Sequence, residues 1–150
     1  MSPAPALSTI GYEAATPGGL VAALQEAGVR TVADVRALAN SRRPGFAKRA
    51  LSAALGEAGI VYWHLPALGT PAEGRAAVRA GRPAAMRPIF LRHLEGTEPQ
   101  AALAALGERA RREPVCLLCL EDDPAHCHRS LVAEAVAEAT GAPVRHLHPR

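Results

Sequence analysis

The sequence is short of aromatic residues, of cysteine and of long apolar runs, and each shortage excludes something. Phe, Trp and Tyr make up 3% of the 150 residues. A core must therefore be built mainly from the Leu, Val and Ala that dominate an apolar share of 49%. The same shortage argues against a single-stranded nucleic-acid platform, where bases stack on exposed rings. Three cysteines are an odd count and too few for a disulfide framework, so a reducing cytoplasmic setting is expected. No run approaches the roughly 18 apolar residues of a membrane span, and no membrane partner is expected. The opening MSPAPALSTI lacks the charged segment and long apolar stretch of a signal peptide. There is no internal repeat and no low-complexity tail. A formal charge of +3 permits a polyanionic partner without requiring one.

What is present reads as one domain over 1–150, with strands and helices in alternation. Leu7 to Ile10 is a short strand ending at Gly11-Tyr12. Thr16-Pro17 gives an N-cap and first turn to a helix carrying Leu20, Val21 and Leu24, stopped by Gly28. Thr31 to Val35 is the second strand, with Asp34-Val35-Arg36 at its end. A polar loop from Asn40 to Gly45 leads into a helix from about Phe46 to Ala58. Ile60 to Trp63 is the third strand and runs into His64. The stretch 67–84 holds Gly69, Pro71, Gly74, Gly81 and Pro83, and reads as a mobile loop or lid with at most one weak helical turn. Helices follow over Ile89 to Leu94 and Pro99 to Arg112, then a strand over Val115 to Leu120. A last helix is closed by Gly141, and Val144 to Leu147 is a final strand. Such alternation predicts an α/β three-layer sandwich, with a mostly parallel five-stranded sheet covered by helices on both faces. In such sheets ligands bind beyond the carboxyl ends of the strands, where the strand order reverses. Tyr12, Glu13, Arg36, His64 and Glu121 all lie just past strand ends, so they are expected on one rim.

The richest stretch is Val115 to Arg129, VCLLCLEDDPAHCHR. Asp123 and Pro124 have the residue types of an N-cap and first helical position, and Leu131, Val132, Ala135 and Val136 form an apolar stripe. Stepping back four residues extends that stripe to Cys127 and His128, placing both in the first helical turn at the mouth of the sheet. A helix N-terminus there offers free N–H groups and a field that favours anions and thiolates.

Together these stretches resemble a known family. Thr9-Ile10-Gly11-Tyr12, Asp34-Val35-Arg36, Ser41-Arg42, Gly45-Phe46, Tyr62 with His64 and Leu65, Leu68-Gly69, and Cys119-x-Glu121 followed by Cys127-His128-Arg129 look like the bacterial and archaeal domain of unknown function 488 family. The resemblance runs from about Thr9 to Val136, and the motifs are specific in combination. Ala39 stands where a proline is expected before Ser41, and Thr70 where a second glycine often follows Gly69. The family has no assigned reaction, so the resemblance supports the fold and the site without naming a substrate.

Several constellations follow from the residues. Arg36, Ser41, Arg42 and Arg129, with the N–H groups around Ala125 to Cys127, form a candidate site for phosphate, sulfate or carboxylate. The structural alternative pairs Arg36 with Asp34 or Glu121, and Arg129 with Glu13 or Asp122. Glu121 is a candidate proton-transfer group, with Cys127 as nucleophile and His128 assisting. Against this, only one residue separates Cys127 from Arg129, unlike a phosphate-cradling CxxxxxR loop, and cysteine is often simply buried. Cys116 and Cys119 point to opposite faces of a strand and do not share a metal. Cys119, Cys127 and one of His126 or His128 can converge, but no metal site is assigned and no cofactor is called for. Arg42, Arg43, Lys48 and Arg49 form a basic run that can draw nucleic acid or serve as a solvated face. Tyr12, Tyr62 and Trp63 either flank a base at the rim or pack. His64 can act as an acid or base at the rim or cap the core; His146 and His148 are expected to have no role. The sequence points first to an enzyme with a phosphate-like anion site, acting on a nucleotide, nucleic acid or phosphorylated small molecule. A non-catalytic module for nucleic acid or a phospho-ligand is the second reading. A thiol- or metal-dependent redox or sensor protein is the third.

Overall fold

A computed structural model describes residues 5–121, 123–124 and 127–149. Five strands, β1 (Leu7–Gly11), β2 (Thr31–Asp34), β3 (Val61–His64), β4 (Val115–Cys119) and β5 (Val144–Leu147), form one sheet in the order β3-β2-β4-β1-β5. Every pairing is parallel. β1, β2 and β4 are buried along their whole length, which is why they read as unbroken apolar runs rather than alternating ones. β3 and β5 lie at the sheet edges, and Val61 of β3 is 48% exposed.

The two faces of the sheet carry separate cores. On one face, Ile10, Val32, Cys116 and Leu118 pack against Leu20 and Leu24 of α1 (Pro17–Glu26) and Leu51 and Leu55 of α2 (Lys48–Glu57). On the other, Leu7, Ala33, Leu117 and Cys119 pack against Phe90 and Leu94 of α4 (Met86–Leu94), Leu106 of α5 (Thr97–Arg112) and Leu131, Val132 and Val136 of α6 (Arg129–Thr140). Cys116 and Cys119 therefore lie on opposite faces, as the strand period requires. Local signals set the ends of α1: Thr16 Oγ1 accepts from the Gly19 N–H at 3.0 Å, and Gly28 follows the helix at φ +72°.

Several boundaries differ from expectation, most by one to three residues, and three stretches have a physical reason in the structure. The stretch 67–84 contains a 3-10 turn at Pro66–Leu68 and an eight-residue helix, α3 (Ala72–Arg79). Its buried residues are Gly74 and Ala77, so it packs through small side chains and shows no leucine stripe. The last helix begins at Arg129 instead of near Pro124. Cys127 N–H closes a turn onto the Pro124 carbonyl at 3.3 Å, so Cys127 and His128 precede the helix. The α2 helix begins at Lys48, two residues past Phe46. Phe46 instead seats its ring in the core, stacked on Tyr12 at 4.6 Å.

The strand order creates a switch point. β4 lies between β1 and β2, whose following helices cover one face, while the helix after β4 covers the other. A crevice opens at their carboxyl ends, the position where parallel α/β sheets bind ligands.

Candidate functional site

A cavity of about 250 Å³ occupies that crevice, bounded by Tyr12, Arg36, Asn40, Thr70, Arg75, Cys119, Glu121 and His128. A smaller one of about 150 Å³ adjoins it under α3 and shares Thr70, Arg75, Glu121 and His128. The tips of β1, β2 and β4 thus meet at one pocket, although they are far apart in sequence.

Arg36 lies in its wall as part of a buried ion pair. Its Nε donates to Asp34 Oδ1 at 2.9 Å and Nη2 donates to Asp34 Oδ2 at 2.7 Å. Nη1 donates to the Phe46 carbonyl at 2.8 Å and to Tyr12 Oη at 3.2 Å. Tyr62 Oη donates to the same carboxylate at 2.5 Å. Burial alone would lower the Arg36 pKa, but the hydrogen bond and charge of Asp34 outweigh it and hold the guanidinium firmly protonated. Burial, then the hydrogen bond to Asp34, push the Tyr62 phenol above its ordinary range. His64 joins the network by an Nε2–O contact of 2.8 Å with the Arg36 carbonyl. The structural alternative for Arg36 is the arrangement found, with Asp34 as partner. Arg36 fixes three loops around the pocket while keeping its charge in the wall.

The loop after β2 is held by a residue with no sequence signature. Arg43 turns inward and donates to the carbonyls of Tyr12 at 2.6 Å, Glu13 at 2.8 Å and Ala15. It is thereby withdrawn from the basic run, leaving Arg42, Lys48 and Arg49 exposed. Ser41 Oγ accepts from the Arg43 N–H at 3.1 Å and shapes the same turn. Glu13 is exposed, and its N–H donates to the Leu120 carbonyl at 2.8 Å.

Sulfur lines the β4 side. Cys119 and Cys127 are joined as a disulfide, so the odd cysteine is Cys116, buried on the opposite face with its pKa driven up by burial. The pairing leaves Cys127 without a thiol in this state, so the nucleophile reading of Cys127 concerns the reduced pair. Around the pair, the Arg129 backbone N–H lies 3.4 Å from Cys127 Sγ, and Arg129 Nη1 lies 3.2 Å from Cys119 Sγ. Arg129 is fully buried and also donates to the Glu121 carbonyl. His128 Nε2 is 2.6 Å from the Val35 carbonyl, and Nδ1 is 3.7 Å from Cys127 Sγ. Burial pushes the His128 pKa down to about 4. Glu121 places Oε2 3.4 Å from Cys119 Sγ at the edge of the pocket. Burial pushes its carboxyl above the usual range, against the pull of Arg129.

Of the residues expected at the rim, Tyr12, Arg36, Glu121 and His128 line one cavity, and Cys127 stands behind it through Cys119. The N–H groups expected from Ala125 and His126 lie outside the described residues, as do His126 as a ligand and Asp122 as a partner of Arg129. The Cys127 N–H is engaged by Pro124. The pocket adds Arg75, Asn40 and Thr70, none of which was anticipated. Arg75 was hidden because its helix lacks an apolar stripe.

Gly69 explains the close fit of the turn after β3. A Cβ on it would lie 2.2 Å from the Ala37 nitrogen and 2.3 Å from its Cα, so the turn rests directly on backbone at the pocket's edge. Among the described residues, no helix is long and apolar enough to cross a membrane.

Comparison with curated proteins and with solved structures returns no match. The family model described as "Domain of unknown function DUF488" matches residues 18–136, a span that includes the ion pair, Gly69 and the Cys119 to Arg129 corner but begins after β1. The chain belongs to the DUF488 family.

Proposed function

We propose that the chain is an enzyme whose rim pocket receives a phosphate-like anion carried by a nucleotide, a nucleic acid or a phosphorylated small molecule. One observation carries the reading: Arg36, Arg75, Glu121 and His128 line a single cavity at the strand carboxyl ends. Arg75 is half-buried and supplies the direct contact, because Arg36 is committed to Asp34 and Arg129 is buried behind the sulfurs. Arg36, neutralised by Asp34, acts by fixing loops, and Arg129 acts through its buried charge. Ser41 and Arg42 follow Asn40 on the loop that enters the pocket wall, and α3 covers the pocket as a lid. Glu121 is the pocket carboxyl and moves the proton. A cavity of this size accepts a phosphoryl group with part of its carrier rather than a dinucleotide.

The Glu121→Gln variant tests the assignment. Wild type and variant are assayed on p-nitrophenyl phosphate, bis(p-nitrophenyl) phosphate and AMP, with inorganic phosphate binding followed by calorimetry. Turnover should fall by about a hundredfold or more, while phosphate affinity stays within a few-fold. Equal loss of both, or binding without turnover in the wild type, favours the non-catalytic module.

The disulfide favours a second reading, a thiol redox protein. The reduced Cys119 and Cys127 would pass two electrons and two protons to a partner disulfide, which would leave as a dithiol. Failure of the oxidised protein to take electrons from any dithiol reductant would remove it.

A further inference from the structure

The Cys119–Cys127 corner carries an inference that goes beyond anion binding. Three side chains able to ligate a metal meet there: Cys119 Sγ, Cys127 Sγ and a His128 ring nitrogen lie within 4.8 Å of one another, and all three residues are buried. Cys119 ends β4, whereas Cys127 and His128 close the turn before α6, so the backbone of two elements holds the set together.

The histidine is prepared for a ligand's role. Its Nε2 is 2.6 Å from the Val35 carbonyl, an acceptor only, so Nε2 carries the proton and Nδ1 keeps its lone pair. Nδ1 is the nitrogen 3.7 Å from Cys127 Sγ. In the disulfide that sulfur has no hydrogen to offer, so the buried lone pair faces a poor partner. A neutral imidazole whose other N–H is held by a backbone carbonyl is the usual outer-shell arrangement of a metal-bound histidine. The sulfurs are prepared as well. The Arg129 backbone N–H and Nη1 approach Cys127 Sγ and Cys119 Sγ respectively, and such donors favour thiolates. Cys119 and His128 line the rim pocket, so the side of the cluster away from Cys127 opens into it.

We propose that reduction of the Cys119–Cys127 disulfide creates a zinc site made of Cys119, Cys127 and His128 Nδ1, with its fourth position facing the rim pocket. Two thiolates and one imidazole suit zinc, and three protein ligands with one exchangeable position are the pattern of catalytic rather than structural sites. The reductant is a dithiol. It gives two electrons and two protons to the S–S bond, which breaks into two thiols, and the reductant leaves as its own disulfide. Zinc then displaces both thiol protons to solvent, with no further electron transfer. The fourth position places the metal's Lewis acidity beside Glu121, whose Oε2 is 3.4 Å from Cys119 Sγ. Zinc binding does not depend on phosphate recognition, so the two proposals fail separately.

The test uses the full chain, reduced anaerobically with dithiothreitol, freed of reductant and titrated with zinc alone against a chromophoric chelator. The reduced protein should take one equivalent, and the oxidised protein should bind at least about tenfold more weakly. Cobalt should give a thiolate charge-transfer band and the strong visible absorption of a tetrahedral site. The Cys116→Ser variant should behave as wild type, whereas Cys119→Ser and Cys127→Ser should lose the cobalt–thiolate intensity. His128→Gln should weaken zinc by about tenfold or more. The proposal is overturned if reduced wild type takes no zinc, if oxidation leaves affinity unchanged, or if Cys116→Ser abolishes binding. The comparison of oxidised with reduced wild type requires no substitution, so a variant that fails to fold leaves the test intact.

Discussion

Replacing Asp34 by Asn should be among the most damaging single changes in the chain. The carboxylate is fully buried and accepts from the Arg36 N–H at 3.1 Å, Arg36 Nε at 2.9 Å, Arg36 Nη2 at 2.7 Å and Tyr62 Oη at 2.5 Å. Asn removes the charge and turns one acceptor into a donor facing other donors. The Arg36 guanidinium, only 6% exposed, is left without its counter-charge. Breaking a buried pair from one side costs about 3–5 kcal/mol, a large share of the roughly 5–15 kcal/mol that stabilises a typical domain. The melting temperature should fall by on the order of 10 °C. Arg36→Met should cost a similar amount and also release the Phe46 carbonyl and Tyr12 hydroxyl that shape the pocket. Combining Asp34→Leu with Arg36→Met should cost much less than the sum, because neither charge remains buried alone. Urea unfolding of wild type, Asp34→Leu, Arg36→Met and the double variant closes the cycle and measures the coupling. A loss below about 1 kcal/mol for Asp34→Asn, or strict additivity in the cycle, would refute the ion pair as the organising feature of the rim.

Further outcomes follow from single sites. Gly69→Ala puts a Cβ 2.2 Å from the Ala37 nitrogen and should cost about 1–3 kcal/mol or more, because backbone must move. Gly74→Ala clashes with the Thr70 Cγ2 atom at 2.6 Å, a side chain that can rotate, and meets Ile89 and Met86 at an ordinary 3.6 Å, so it should cost less; equal melting temperatures for the two variants would contradict this. In the oxidised protein, burial holds His128 at about 4, against 6.5 in the unfolded chain. The unfolded chain therefore takes up the proton first as pH falls. Stability fully present above about pH 6.5 should be lost progressively down to about pH 4, by about 3 kcal/mol. Denaturation across this window should show a shallower loss for His128→Gln, and parallel curves would exclude the effect.

Much of the fold was legible because it rests on short-range signals. The Thr16-Pro17 cap, Gly28 and Gly141 mark helix ends through local backbone geometry, and buried parallel strands announce themselves as apolar runs. The α3 helix was not legible because its packing face is Gly74 and Ala77, which carry almost no hydrophobic signal. Asp123 and Pro124 have the composition of a helix start, yet the chain first closes a turn onto the Pro124 carbonyl and begins α6 at Arg129. The rim itself was legible through the rule for strand carboxyl ends. The partition among its arginines was not, since Arg36 and Arg43 spend their donors on groups brought near only by folding. Convergence of Cys119 and Cys127 could be anticipated from a strand end and the turn after it, whereas an odd cysteine count hid their bond.

The pocket at the tips of β1, β2 and β4 is tested most directly by nuclear magnetic resonance of the isotope-labelled full chain titrated with inorganic phosphate. Saturable amide shifts should appear at Leu38, Asn40, Thr70, Arg75 and Leu120, and Arg75→Ala should abolish them while the rest of the spectrum is retained. Shifts confined to the exposed Arg42, Lys48 and Arg49, or none at all, would contradict a pocket built to receive an anion.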